Sequence, residues 1–74
     1  IQQDAALFGS TLAAGKSVTH GFAPDRKGYL VPSRGTVTVN GTAVGERAGA
    51  AIGGETEITI TAIGDAEIVL ADLP

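Results

Sequence analysis

Cysteine, methionine and tryptophan are all absent from this 74-residue chain. Without cysteine the chain can form neither a disulfide nor a thiolate metal site, which are two common means of stabilising so small a domain. No run of about 18 apolar residues occurs, so the sequence predicts no membrane-spanning helix. No charged segment followed by an apolar stretch resembles a signal peptide, and we therefore expect a cytoplasmic protein without membrane contact.

Basic residues are also few. Five lysines and arginines stand against eight acidic residues, which gives a net charge of −3. Nucleic-acid-binding proteins concentrate basic residues on one face, whereas here they are scattered along the chain. Aromatic side chains that could stack on bases are limited to Phe8, Phe22 and Tyr29. We therefore expect no nucleic-acid partner.

Glycine, in contrast, is abundant, with 11 residues placed mostly between short apolar segments. The clearest segment is 35–41, in which Val37 and Val39 alternate with threonines before the turn pair Asn40-Gly41. That pair is typical of a type I′ hairpin turn. Similar patterns predict further strands, and Pro32 is expected to end one of them or to place it at a sheet edge. The strands predicted are 7–12, 17–22, 28–31, 36–40, 42–44, 50–52, 56–61 and 67–71. Short strands at this spacing indicate an all-β sandwich or barrel.

The same alternation predicts the hydrophobic core. Burying it would contribute on the order of 2 kcal/mol per side chain against conformational entropy. A domain of this length keeps a thin margin of stability, about 5 kcal/mol, so we expect a second packing surface against a neighbouring domain or in a homo-oligomer. The predicted core consists of Leu7, Leu12, Val18, Leu30, Val37, Val39, Ile52, Ile58, Ile60, Ile68 and Leu70.

Several segments in a fixed order link the chain to a known family. They are Gln3-Asp4 with Leu7-Phe8, Gly15-x-Ser17-Val18-x-His20, Tyr29-Leu30, the block RGTVTVNG at 34–41 and the block EIVLADLP at 67–74. Together they resemble the C-terminal cupin domain of pirin-like proteins, the two-cupin family often called quercetin 2,3-dioxygenase-like. The resemblance implies a small antiparallel β-barrel or jelly roll of the cupin type. It also implies that residues 1–74 are a single C-terminal domain, a fragment of a two-cupin protein.

In that family the metal ligands and the quercetinase-type activity belong to the N-terminal cupin. That site takes a divalent transition metal such as iron, nickel, zinc, copper or manganese. The resemblance therefore implies that this chain is a non-catalytic module. Its expected partner is the N-terminal cupin of the same protein, and it is expected to have no catalytic, cofactor-binding or metal-binding residues of its own.

A comparison with the motifs of a catalytic cupin supports this expectation. Such a cupin holds its metal with three histidines and a glutamate, a ligand set that suits divalent iron, nickel, manganese or copper. On this sequence the first motif begins at Gly15 and its first histidine is His20. The second histidine would fall at Phe22, the glutamate at Gly28 and the last histidine at Ile52. Three of the four ligands are replaced by residues that cannot coordinate a metal, and His20 remains as a weak remnant.

His20 has two interpretations. It is either a remnant ligand or lone proton shuttle, or an ordinary strand histidine that hydrogen-bonds a neighbour or lies half exposed. The nearest carboxylate in sequence is Asp25. An alternative function is a metal-free barrel that binds a small ligand, with Phe22, Tyr29 and Ile52 lining the cavity beside His20. An interior filled by Ile52 and Phe22 would argue against that alternative.

Overall fold

The computed structural model describes residues 5–74, and these residues form eight β-strands. The eight predicted strands are all present, although their bounds shift. In chain order they are β1 Ala6–Leu12, β2 Ser17–Gly21, β3 Lys27–Arg34, β4 Val37–Val39, β5 Thr42–Val44, β6 Ala50–Ile52, β7 Glu57–Ala62 and β8 Ala66–Leu73. No helix within residues 5–74 is long and apolar enough to cross a membrane.

The strands form two antiparallel four-stranded sheets. The first sheet has the order β1-β8-β3-β6 and the second has the order β2-β7-β4-β5. Their inner faces share one hydrophobic core, which makes a cupin-type sandwich and confirms the predicted fold class. Strands β1 and β2 are edges of different sheets and do not pair with each other, so the sandwich has an open seam between them.

The core follows the alternation of the strands closely. The innermost side chains come from β3, β4 and β7, where Leu30, Val37 and Ile58 are fully buried. Of the predicted core, Val18 is only partly buried, and the prediction for Leu7 is wrong because its side chain is 74% exposed. Leu7 is opposite Ala71 on the outer phase of the edge strand β1, one residue out of step with the inward-facing positions. The core also includes members that the pattern did not select: Phe22, Val44, Ala62 and Ala66.

The hairpin between β4 and β5 has the predicted tight turn. Val39 pairs with Thr42, and the two residues between them have positive φ, 48° at Asn40 and 87° at Gly41. Both residues of a type I′ turn need this conformation. The Asn40 side chain also accepts a hydrogen bond of 2.9 Å from the Thr59 backbone amide, which ties the turn to β7.

Strand β3 extends past Pro32, so the first of the two alternatives, that Pro32 ends the strand, is wrong. Pro32 is opposite Ile68 of β8, and the pairing shifts register between Pro32 and Arg34. On its other side β3 pairs with β6 only at 28–30, so Pro32 is beyond that pairing and its missing amide leaves no broken bond there. The Pro32 carbonyl instead accepts a 2.7 Å hydrogen bond from the Arg47 amide.

Candidate functional site

The four positions that match the cupin ligands meet at one end of the core. His20 is on β2, Phe22 follows that strand, and Gly28 of β3 pairs with Ile52 of β6. The rings of His20 and Phe22 are 4.8 Å apart in an edge-to-face arrangement. A Cβ atom built on Gly28 would lie 2.5 Å from Phe22 Cζ and 3.5 Å from Ile52 Cβ. The sequence motif therefore identified positions that are close together in space.

Hydrophobic packing fills the space that a metal would need. Phe22 and Ile52 are buried, and the Phe22 ring occupies the volume into which a side chain at position 28 would extend. Within residues 5–74 no group of three or more His, Asp or Glu side chains could hold a metal ion. One histidine packed against Phe22 is not a complete ligand set for any divalent transition metal. The residues do not fit a cupin metal centre.

His20 takes part instead in a hydrogen-bonded bridge between the two sheets. Its Nε2 atom is 2.9 Å from Oδ2 of Asp72 on β8. Arg26, in the loop between β2 and β3, donates from Nε to Asp72 Oδ1 over 2.6 Å and from its terminal nitrogen to the Asp72 carbonyl over 3.0 Å. The three side chains are largely shielded from solvent, with 11% of the Asp72 side chain exposed. The bridge joins β2 and β8 across the open seam.

Hydrogen bonds from Arg26 and His20 keep the Asp72 carboxyl ionised. The hydrogen bond from the Arg26 guanidinium, followed by the one from His20, lowers the pKa of the Asp72 carboxyl below its usual value of 3.8. An ionised carboxylate only accepts hydrogen bonds, so His20 Nε2 has the proton that they share. The His20 ring also packs against Phe8, with their centroids 4.9 Å apart. His20 is thus the bonded strand histidine of the two interpretations, although its carboxylate partner is Asp72 and not Asp25.

Sequence reasoning overlooked Asp72, although a signal was present. Ile68 and Leu70 point into the core on alternate residues of β8, and Asp72 is the next position on that inward phase. A charged residue that continues a buried apolar phase indicates a paired charge, because an isolated buried carboxylate is strongly unfavourable. Its partners are 46 and 52 residues away in sequence, so no local pattern named them.

The residues predicted to line a cavity do not come together. Phe22 and Ile52 pack inside, whereas Tyr29 is 47% exposed on the outer face of the first sheet. Its neighbour Leu30 has the inward position of β3. The space that remains near His20 is a cleft of about 180 Å³ in the seam, between Phe8 of β1 and Val18 of β2.

A larger depression of about 510 Å³ is above Phe22, between the β2–β3 and β6–β7 loops. Its charged lining combines Arg26 and Lys27 with Asp25 and Glu55. Since the two signs balance and Arg26 already binds Asp72, the depression does not favour an anionic ligand.

Comparisons with known proteins agree with this fold. The family model described as the quercetinase C-terminal cupin domain matches residues 1–73. The chain belongs to this family. A pirin-like protein of Caulobacter vibrioides is 51% identical over 72 residues, which cover 97% of this chain and 31% of that protein. A quercetin 2,3-dioxygenase of Escherichia coli is 34% identical over 74 residues, which cover all of this chain and 32% of that protein.

Solved structures of a related pirin align with the cupin domain described above. YhhW from Escherichia coli superimposes with a TM-score of 0.95 at 34% identity, covering all of this chain and 32% of YhhW. Its complex with nickel(II) gives a TM-score of 0.94 over the same shares. The chain thus spans about a third of the length of these relatives and matches their C-terminal third.

Replacing Asp72 with asparagine should change how stability depends on pH. Because the pKa of Asp72 is lower in the folded protein, the group contributes stability that is fully present above the unfolded value. That contribution is lost as the pH falls through the folded pKa. We expect Asp72→Asn to lower the unfolding temperature at neutral pH, and this deficit to shrink below pH 3.8.

Thermal unfolding followed by circular dichroism across this pH range measures the effect. The matched control is Glu67→Gln, which removes an exposed carboxylate 3.6 Å from Arg34. Exposed ion pairs contribute little, so the control should follow the wild-type curve. A deficit for Asp72→Asn that stays constant through the acid range would contradict the assigned role.

Proposed function

We propose that this chain is the non-catalytic C-terminal module of a longer pirin-like protein and packs against an N-terminal cupin. The observation that carries the proposal is the filled ligand cluster, in which Phe22 occupies the space over Gly28. With no residues placed for metal chemistry within residues 5–74, the domain is suited to a structural role. The length of the relatives, about three times that of this chain, supports the presence of a preceding domain.

The chemistry of the longer protein then belongs to its N-terminal cupin. We propose that this preceding domain binds a divalent transition metal, one of iron, nickel, zinc, copper or manganese. The nickel(II) complex of YhhW supports this assignment, because YhhW is similar to this chain over its C-terminal third. The names of the Escherichia coli relatives suggest quercetinase-type oxygenation as the activity.

Separating the two parts tests the packing role. The preceding domain and residues 1–74 are produced as two polypeptides, mixed and passed over a size-exclusion column with light scattering. We expect them to elute together as a one-to-one complex. The longer protein should also keep its full metal content when His20 is replaced by glutamine, as measured by elemental analysis. Independent elution of the two parts, or loss of metal from His20→Gln, would refute the proposal.

The alternative is a metal-free domain that binds a small ligand. The interior next to Phe22 and Ile52 is packed, so this ligand would have to occupy the seam cleft of about 180 Å³. A cavity of similar size accommodates about one six-membered ring. His20 lines the cleft, and its single hydrogen bond among residues 5–74 uses Nε2. Retention of a small aromatic molecule by the purified protein, detected by native mass spectrometry, would favour this alternative.

A further inference from the structure

The two sheets have outer faces of opposite character. On the second sheet the outward positions of adjacent strands are hydroxyl-bearing: Ser17 pairs with Thr61, and Thr61 with Thr38. The Ser17 and Thr61 hydroxyls are hydrogen-bonded at 2.8 Å. Hydroxyl groups are favourably hydrated, so this outer face is stable when exposed to solvent. The outer face of the first sheet differs.

The outer face of the first sheet is apolar across all four strands. One cross-strand row runs Leu7, Ala71, Tyr29 and Ala51, and a second row contains Val69 and Val31 beside Gly9. Leu7, Tyr29 and Val69 are 74%, 47% and 43% exposed. We name this surface the outer apolar face, and it consists of Leu7, Tyr29, Val31, Ala51, Val69 and Ala71. A contiguous exposed apolar patch on a small domain indicates an interaction surface.

Polar residues surround this face at both ends of the strands. Lys27 is at one end, opposite Leu73, and the Arg34–Glu67 ion pair is at the other. An apolar centre with a charged rim is typical of a protein–protein interface.

Tyr29 lies at the centre of this surface, against Gly49. A Cβ atom on Gly49 would lie 1.8 Å from the Tyr29 hydroxyl oxygen, so the phenol group rests directly on the Gly49 backbone. Tyrosine supplies a large contact area at a low cost in conformational entropy, and it is enriched among the residues that dominate interface energies. Tyr29 is therefore the expected anchor of the contact.

We infer that the outer apolar face is the surface on which the N-terminal cupin of the longer protein docks. This inference rests on the proposed function and adds the location of the contact. Two observations select the occupant. The chain spans only 31–32% of its relatives, so most of each relative is outside the region described here. The other sheet has a polar outer face, which leaves the first sheet as the apolar surface that a domain in the same polypeptide could cover.

Thiol labelling in the longer protein tests this location, because residues 1–74 contain no cysteine. Any cysteines of the preceding domain are first replaced. Tyr29→Cys and Val69→Cys are introduced one at a time, and their reaction with a maleimide is followed by mass spectrometry. The matched control is Ile63→Cys in the β7–β8 turn, because Ile63 is 59% exposed and outside the outer apolar face.

In the longer protein we expect both face cysteines to react about tenfold more slowly than Cys at position 63. A second variant, Tyr29→Lys, should weaken association of the separated parts about tenfold or more, whereas Ile63→Lys should leave it unchanged. Fast labelling at positions 29 and 69 in parts that still associate would place the contact elsewhere and overturn the inference.

Two other outcomes have distinct meanings. If the separated parts do not associate and all three cysteines react fast, the proposed function itself fails. If the face cysteines are protected in residues 1–74 alone and become reactive on dilution, the occupant is a second copy of this chain. That result would also overturn the inference. It would favour the homo-oligomer, the other packing arrangement expected from the sequence.

Discussion

Phe22→Ala is expected to remove about 3–5 kcal/mol from the free energy of unfolding, which is most of the margin available to a domain of this size. The cost is at the upper end for a core truncation because the neighbour that could collapse into the void is Gly28, which has no side chain. Ile52, on the other side of the void, is anchored by strand pairing to Gly28. Urea denaturation followed by circular dichroism measures the loss.

A double-mutant cycle identifies the cause of this loss. Gly28→Ala alone should cost about 1–3 kcal/mol, because its methyl group would lie 2.5 Å from the Phe22 ring. In the Phe22→Ala background the same methyl group fills part of the void and should be neutral or stabilising. The control Phe8→Ala removes a half-exposed ring and should cost about 1 kcal/mol. Additive losses at positions 22 and 28 would show that the two residues do not share this space.

Gly35→Ala is expected to destabilise the domain by about 2–4 kcal/mol, by two separate effects. Gly35 has a φ of 76°, a conformation that L-residues with a side chain rarely adopt. A Cβ atom there would also lie 2.4 Å from the Asp65 carbonyl oxygen and 3.1 Å from the Ala66 Cα atom. Both obstacles are backbone atoms at the start of β8, so they cannot move aside as a flexible side chain could.

Two other glycines separate the conformational cost from the steric cost. Gly41 has a φ of 87°, and a Cβ atom built there would have no atom within 4 Å. Gly41→Ala should therefore cost only the strain of the left-handed backbone conformation, about 1–2 kcal/mol. Gly9 has neither constraint, and Gly9→Ala should stay within about 0.5 kcal/mol of wild type. The urea concentration at the midpoint of unfolding should therefore be highest for Gly9→Ala, lower for Gly41→Ala and lowest for Gly35→Ala. If Gly35→Ala lost no more stability than Gly41→Ala, the steric contact with the Asp65 carbonyl oxygen would contribute nothing to the cost.

The number of strands and most of the core could be predicted from the sequence because both depend on local alternation. Ile58 and Ile60 share one phase of β7, and Val37 and Val39 share one phase of β4, so each pair identified its own inward face. Leu7 failed this test because β1 is an edge strand, where an apolar residue can be on either face. Phe22 is within the predicted strand 17–22 on the same phase as Val18, and it was left out of the predicted core because it was assigned to the lining of a cavity.

The candidate site could likewise be predicted only in part. The family motif located His20, Phe22, Gly28 and Ile52, because a motif carries long-range information that local patterns lack. The partnership of His20 with Asp72 and Arg26 depends on how the two sheets pack, and sequence proximity suggested Asp25 instead. Predicting it would have required the relative position of β2 and β8.

The position of β8 within the first sheet also constrains how the domain is made in the cell. This strand, the last of the eight in chain order, pairs with β1 on one side and with β3 on the other. Until it emerges from the ribosome, two earlier strands have unpaired edges and the apolar residues beside them have no cover. The domain therefore folds through contacts between distant parts of the chain, and until these contacts form its open strand edges and apolar residues favour aggregation.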